Sequence, residues 1–137
     1  MPVLDKPLVK GLNFNGNTEL TDQSLNILVQ FAIEFQSIKV LSIERFQVSH
    51  SGITNLFIQL PNTRIVELNI SGIPLNYFCV DSLCNVLSRQ RDIIELRVLH
   101  LRNTKLQDLS ALRLMEHILG VNQEPVKIKF LSMSMNT

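Results

Sequence analysis

Eleven consecutive residues, Leu96–Leu106, constrain the fold of this chain more than any other stretch. They read L-x-x-L-x-L-x-x-T-x-L, in which Leu99 and Leu101 stand one residue apart. Apolar residues at alternate positions place one face of a short strand against a core. Looser copies of the pattern occur upstream and downstream. A series of this kind at near-constant spacing predicts a stack of similar units.

Five copies align when the first apolar anchor of each is taken as position one. The anchors recur at intervals of roughly 27–32 residues, at or beyond the long end of the range for such repeats. A period of this length leaves room for a full helix between consecutive strands. Positions one, four, six and nine of the copies are Val9-Leu12-Phe14-Asn17, Ile38-Leu41-Ile43-Phe46, Ile65-Leu68-Ile70-Ile73, Leu96-Leu99-Leu101-Thr104 and Ile128-Leu131-Met133-Asn136.

The fourth copy has two possible registers. The segment that begins at Arg64 parallels the one that begins at Asp92, which would start this copy at Ile93 and leave Asn103 where a leucine should close the motif. A start at Leu96 satisfies the whole pattern and is preferred. The choice matters because a slip of three residues exchanges the buried and exposed faces of a strand.

Three of the segments between the copies open with the same helix-start signal. A Thr, Ser or Asn stands between one apolar residue and another, which predicts a capping side chain within a hydrophobic staple. Recurrence at matching offsets indicates strand–turn–helix units. The three sets are Leu20-Thr21-Leu25, Val48-Ser49-Ile53 and Leu75-Asn76-Val80.

Each predicted helix carries apolar residues at helical spacing. Pro61 is predicted to close the second helix and Gly120 the fourth. Because one unit is too thin to bury its own apolar face, neighbouring units must stack. The apolar faces predicted to pack in this stack are Leu25, Leu28, Val29 and Ala32; Ile53, Leu56, Phe57 and Leu60; Val80, Leu83, Val86 and Leu87; and Leu109, Leu112, Met115, Ile118 and Leu119.

The motif and its long period resemble the ribonuclease-inhibitor-like class of leucine-rich repeat proteins over residues 9–136. This resemblance implies a right-handed α/β solenoid of four to five repeats at residues 9–137, preceded by a lead-in at residues 1–8. A short parallel sheet would line its concave side and helices its convex side. Members of the class usually carry Asn or Cys at position nine. Phe46 and Ile73 stand there in this chain, so the middle turns are expected to be apolar-packed and less regular.

In the class that this chain resembles, positions three, five and seven of each motif point outward from the sheet. Glu44 and Glu67 lie on adjacent strands, and His100 and Arg102 follow on the next. A face that is acidic on one side and basic on the other suits a polar protein partner, although ordinary solvated side chains are the alternative. Phe130 is either a binding anchor or a cover for the open end. The predicted partner-binding residues are Ser42, Glu44, Glu67, Asn69, His100 and Arg102.

Composition and motifs predict a protein without catalytic activity, metal or cofactor. The net charge of +1 supplies no overall field that attracts nucleic acid or an anionic membrane. No metal-ligand spacing, phosphate-binding loop or paired C-x-x-C occurs. Cys79 and Cys84 are expected to be unpaired core residues of a cytoplasmic, reducing environment. We find neither a signal peptide nor an apolar run long enough for a membrane helix.

The expected function is reversible, non-catalytic binding of a protein partner through the strand face, by a monomer or weak homodimer. One alternative is a structural unit whose open solenoid ends stack on each other. Another is a fragment of a bacterial effector that mimics host repeat proteins. An enzyme or enzyme regulator is the third class, and it would require a cleft with converging titratable groups.

Overall fold

The computed structural model describes residues 9–17, 19–90, 92–121, 125–134 and 136. The predicted lead-in, residues 1–8, lies outside the described residues. Strands and helices alternate along the chain. The elements are β1 (Gly11–Asn13), α1 (Asp22–Glu34), β2 (Val40–Ser42), α2 (His50–Gln59), β3 (Glu67–Asn69), α3 (Tyr77–Arg89), β4 (Val98–His100), α4 (Asp108–Leu119) and β5 (Phe130–Ser132).

The strands form one parallel sheet of five, ordered β1-β2-β3-β4-β5 as in the chain. Parallel neighbours need a crossover that returns the chain to the same end of the sheet, and a helix is the usual crossover. The helices contact one another in the same order, α1 with α2, α2 with α3 and α3 with α4. The predicted α/β class, with alternating strands and helices, is therefore confirmed.

The strand register confirms the alignment of the five copies. Position four of each copy pairs with position four of the next, and the fourth copy follows the register that begins at Leu96. Leu96 is 1% exposed, whereas Ile93 is 57% exposed. The paired row is Leu12, Leu41, Leu68, Leu99 and Leu131.

The helix starts are also confirmed. Thr21, Ser49 and Asn76 are the N-cap residues of α1, α2 and α3. Ser49 accepts a hydrogen bond from the N–H of Gly52 at 3.1 Å, and Asn76 accepts one from Cys79 at 2.9 Å. These bonds satisfy N–H groups that have no partner within the helix.

Helices α2 and α4 end where Pro61 and Gly120 predicted. Helix α2 ends at Gln59, and Pro61 lies in the 3-10 turn Leu60–Asn62 that follows it. Gly120 ends α4 in the left-handed conformation, with φ of 78°. Glycine adopts this conformation without the steric cost that a Cβ imposes.

The predicted apolar faces are buried in the first three helices, with Val86 half-buried against the core. The predicted face of α4 is wrong in part. The buried residues of this helix are Ser110, Leu114 and Ile118, of which Ile118 was predicted. Met115 is half-buried, while Leu109, Leu112 and Leu119 are exposed. Among the described helices, α3 alone flanks α4, so one side of α4 packs and its remaining apolar residues face outward. The small, polar Ser110 lies in the packed row, and an apolar pattern therefore missed it.

The turns after the strands share a left-handed residue at position eight. Position eight is left-handed in the four copies where it is described: Gly16, Arg45, Gly72 and Asn103. Phe46 and Ile73 are buried, as expected. Their N–H groups donate hydrogen bonds to the carbonyl oxygens of position six in the same unit, at 3.4 and 3.3 Å. Asn17 makes the same backbone bond at 3.3 Å. The prediction that the middle turns are less regular is wrong, because they keep the left-handed residue and the backbone bond of the first turn without a polar side chain at position nine.

Candidate functional site

Two rows of side chains cross the sheet on the face opposite the leucine row, because successive strand residues point to opposite faces. Position three contributes Gly11, Val40, Glu67, Val98 and Phe130. Position five contributes Asn13, Ser42, Asn69, His100 and Ser132. The sheet thereby holds four of the predicted binding residues, Ser42, Glu67, Asn69 and His100, in these rows, while Glu44 and Arg102 follow the strands at position seven.

Glu44 links polar groups of three adjacent units. The Asn69 amide donates a hydrogen bond to Glu44 Oε1 at 2.7 Å. Arg102 Nη2 lies 3.7 Å from the same oxygen, and its side chain is half-exposed. An exposed ion pair at this distance contributes little to stability. The Arg102–Glu44 pair is therefore a weak contact within this set.

A second contact joins Glu67, His100 and Phe130. His100 Nε2 lies 3.2 Å from Glu67 Oε2. The His100 ring stands 5.6 Å from the Phe130 ring, centroid to centroid. Phe130 lies in the edge strand β5 and is 52% exposed. An exposed aromatic ring thus borders the polar rows.

Ser42 is a correction to the predicted site, because its residue is only 7% exposed. Its hydroxyl donates to Asn15 Oδ1 at 2.7 Å, and the same oxygen accepts the Glu44 N–H at 2.9 Å. Asn15 belongs to the turn of the preceding unit and covers Ser42 from there. Ser42 is a structural residue, and the remaining five predicted residues lie together on the face.

A cavity of about 290 Å³ at the carboxyl ends of β2, β3 and β4 was only partly predicted. It is built by positions seven and eight of three successive units, of which sequence reasoning named Glu44 and Arg102. The glycines at position eight of the first and third copies were the available signal, because glycine there marks a left-handed turn. The lining residues are Glu44, Arg45, Ser71, Gly72, Arg102 and Asn103.

Groups with catalytic potential occur on the helices. Ser88 Oγ lies 2.6 Å from His117 Nδ1, which joins α3 to α4. Neither residue lines the cavity at the strand ends. Burial raises the pKa of the Cys84 thiol from 9.0 to about 11, partly offset by the positive charge of Arg113. Such a thiol stays protonated at neutral pH and is a poor nucleophile.

In the described part of the chain, no three His, Cys, Asp or Glu side chains lie where they could hold a metal ion. None of the helices in residues 9–17, 19–90, 92–121, 125–134 and 136 combines the length and apolarity that crossing a bilayer requires.

Comparison with known proteins adds no family assignment. No protein-family model matches this chain, and no curated protein matches its sequence.

Proposed function

We propose that this chain is a non-catalytic protein-binding module of the leucine-rich repeat type. In this proposal the units stack as a right-handed solenoid, with the sheet on the concave side and the helices on the convex side. The support is the row of paired leucines, in which five copies of one motif occupy equivalent positions in one parallel sheet. Stacked units of this kind bury their apolar faces against their neighbours. The buried, unpaired thiols of Cys79 and Cys84 fit a reducing, cytoplasmic location.

The observation that carries the binding function is the connected set of polar side chains on the strand face. Glu44 contacts Asn69 and Arg102, and Glu67 contacts His100, which in turn stacks near Phe130. These side chains come from strands and their turns, so they are ordered before a partner arrives. Docking on such a surface loses little conformational entropy.

The chemistry of the face indicates how a partner would be recognised. The carboxylates of Glu44 and Glu67 belong to the β2 and β3 units, and the imidazole of His100 and the guanidinium of Arg102 belong to the β4 unit. A partner with the complementary arrangement of charges would meet attraction on both sides of the face, whereas a mismatched one would meet like charges. Phe130 would supply apolar contact at one edge, as aromatic anchors do in binding patches.

The test compares two charge reversals, one on the strand face and one on a helix. The immobilised wild-type chain is used to capture proteins from an extract of its natural cells. The immobilised Glu67→Arg variant is expected not to capture these proteins. Glu34→Arg on α1, which makes the same charge change at an exposed site, should keep them. Each captured protein is then purified, and its Kd is measured by calorimetry. We expect at least tenfold weaker binding by Glu67→Arg, with circular dichroism confirming that both variants are folded.

Either of two results would contradict the strand-face proposal. One is an unchanged Kd for Glu67→Arg. The other is an equal loss for Glu34→Arg, which would show that net charge rather than the location of Glu67 controls binding.

Self-association through the two ends is the second candidate function. At the β1 end, an apolar cavity of about 170 Å³ is lined by Val9, Leu12, Phe31, Phe35 and Ile38. At the other end, Leu112 and Leu119 of α4 are exposed. Contact between the two different ends would be head-to-tail and would build chains of molecules. Light scattering at tens of micromolar distinguishes the candidates, because a monomer at that concentration rules out stacking.

A further inference from the structure

The cavity at the carboxyl ends of β2, β3 and β4 repeats one construction three times. Each unit contributes its motif positions seven and eight, which are separated from the end of the strand by one buried residue. The volume of about 290 Å³ is close to the lower limit, roughly 300 Å³, of clefts that hold a ligand. One or two side chains of a bound partner would fill a space of this size.

Two guanidinium groups at this cavity are available to a ligand. Within the described residues, neither Arg45 nor Arg102 donates a side-chain hydrogen bond, and Arg102 lies 3.7 Å from Glu44. Glu44 is already engaged, because it accepts the Asn69 amide at 2.7 Å. By contrast, Arg64 donates to Glu95 at 2.8 Å. The cavity therefore presents N–H donors that an incoming anion can occupy.

The backbone of Arg45 is in a conformation that a long side chain rarely adopts. Its φ is 63°, and the equivalent residues of the first and third units are Gly16 and Gly72. A Cβ on Gly72 would lie 2.5 Å from Arg45 Cγ, so the missing side chain leaves the space in which the Arg45 stem lies. The left-handed conformation destabilises any residue that carries a Cβ. A long side chain kept in this strained backbone conformation at a cavity wall motivates a functional hypothesis for Arg45.

We propose that this cavity binds a single carboxylate side chain of the protein partner, between the guanidinium groups of Arg45 and Arg102. Planar guanidinium groups bind carboxylates through paired N–H···O bonds, which fix the direction of approach. This inference rests on the proposed protein-binding function. It adds the chemistry of the partner, which presents an aspartate or glutamate in an exposed segment.

The charges at the cavity favour a carboxylate over a phosphate. Arg45 and Arg102 are cationic and Glu44 is anionic, so the lining carries one excess positive charge. One carboxylate neutralises that charge. A doubly charged phosphate would leave the site negative and would lie close to Glu44, which Coulomb repulsion disfavours.

The experiment uses the full chain and three blocked hexapeptides that differ only in one central residue. This residue is glutamate, glutamine or phosphoserine. Backbone amide signals of Gly72 and Asn103 are followed by NMR at low ionic strength. We expect saturable shifts with the glutamate peptide, at least fivefold weaker binding of the glutamine peptide, and no tighter binding of the phosphoserine peptide.

Variants of the chain assign the binding to the two arginines. Arg45→Gly and Arg102→Gln are each expected to weaken binding of the glutamate peptide at least fivefold. Arg45→Gly should melt no lower than the wild type, because glycine tolerates the φ at this position, so its loss of binding is not a loss of folding. Arg89→Gln on α3 removes the same charge as Arg102→Gln from an exposed site and should bind normally.

Three outcomes would overturn the carboxylate site. They are equal shifts with the glutamine peptide, more than tenfold tighter binding of the phosphoserine peptide, and equal weakening by Arg89→Gln and Arg102→Gln. None of them affects the Glu67→Arg comparison, which concerns captured proteins. Conversely, unchanged protein binding by Glu67→Arg contradicts the proposed function, while the peptide titration still reports on the cavity.

Discussion

At the scale of the residue, position eight of the motif shows how one backbone conformation is reached by different side chains. It is glycine at residues 16 and 72, arginine at 45 and asparagine at 103, and each has a positive φ. Glycine and asparagine enter this region most easily. Arg45 does so against its own preference, and Gly72 beside it provides the space for its side chain. Neighbouring turns are therefore coupled through a single missing Cβ.

This coupling predicts different effects of the same substitution at two glycines. Gly16→Ala should lower the free energy of unfolding by about 1 kcal/mol, because it meets the left-handed strain alone. Nothing lies within 4 Å of a Cβ at Gly16, whereas one at Gly72 would lie 2.5 Å from Arg45 Cγ. Gly72→Ala should therefore lower the free energy of unfolding by more than Gly16→Ala does. Adding Arg45→Gly to Gly72→Ala should remove this extra loss. Urea unfolding gives the free energy of unfolding of the wild type, the two single glycine variants and the double variant. Equal losses at the two glycines would contradict the coupling.

Residue-level burial was the least predictable property of the site. Ser42 alternates with the buried Leu41 and Ile43, so its side chain was expected to face the solvent. The structure leaves it 7% exposed because Asn15 reaches across from the preceding turn. Contacts of this kind join residues one repeat apart, and no local pattern within a strand encodes them. Position seven of one unit and position five of the next must be considered together.

At the scale of the element, the sequence predicted what depends on local chemistry. The caps Thr21, Ser49 and Asn76 were predictable because a short polar side chain between two apolar residues favours a helix start. The α4 face was not, because burial depends on which neighbours a helix has. Leu112 and Ile118 both belong to the apolar residues at helical spacing in α4, yet only Ile118 packs against the core.

The helix starts also differ in how well they are capped. Asn76 accepts the Cys79 N–H at the start of α3, whereas Gln107 at the start of α4 makes no side-chain cap hydrogen bond. Asn76→Ala is expected to lower the free energy of unfolding by about 1 kcal/mol, and Gln107→Ser to raise it by a similar amount. Gln107→Ala, which neither adds nor removes a cap, is the control. Thermal unfolding measures the stability of each variant. A loss of stability in Gln107→Ser would contradict the assignment of Gln107 as an uncapped helix start.

At the scale of the whole molecule, the row of paired leucines connects sequence order to stability. Leu41, Leu68 and Leu99 lie on the inner strands and are fully buried, while Leu12 and Leu131 on the edge strands are half-buried. Each inner strand has a neighbouring unit on both sides, and each edge strand has one among the described residues. When units are stabilised mainly by their neighbours, the inner positions carry more of the total stability.

The same substitution along this row should therefore have a graded effect. Leu68→Ala is expected to lower the free energy of unfolding by about 2–5 kcal/mol, because it leaves a cavity among fully packed side chains. Leu131→Ala removes a half-buried side chain and should lose roughly 1 kcal/mol. Urea unfolding followed by circular dichroism gives both values, and amide exchange should be faster in β5 than in β3. Equal losses at the two leucines would mean that the units do not depend on their neighbours, and the stacked arrangement that supports the proposed binding face would have to be abandoned.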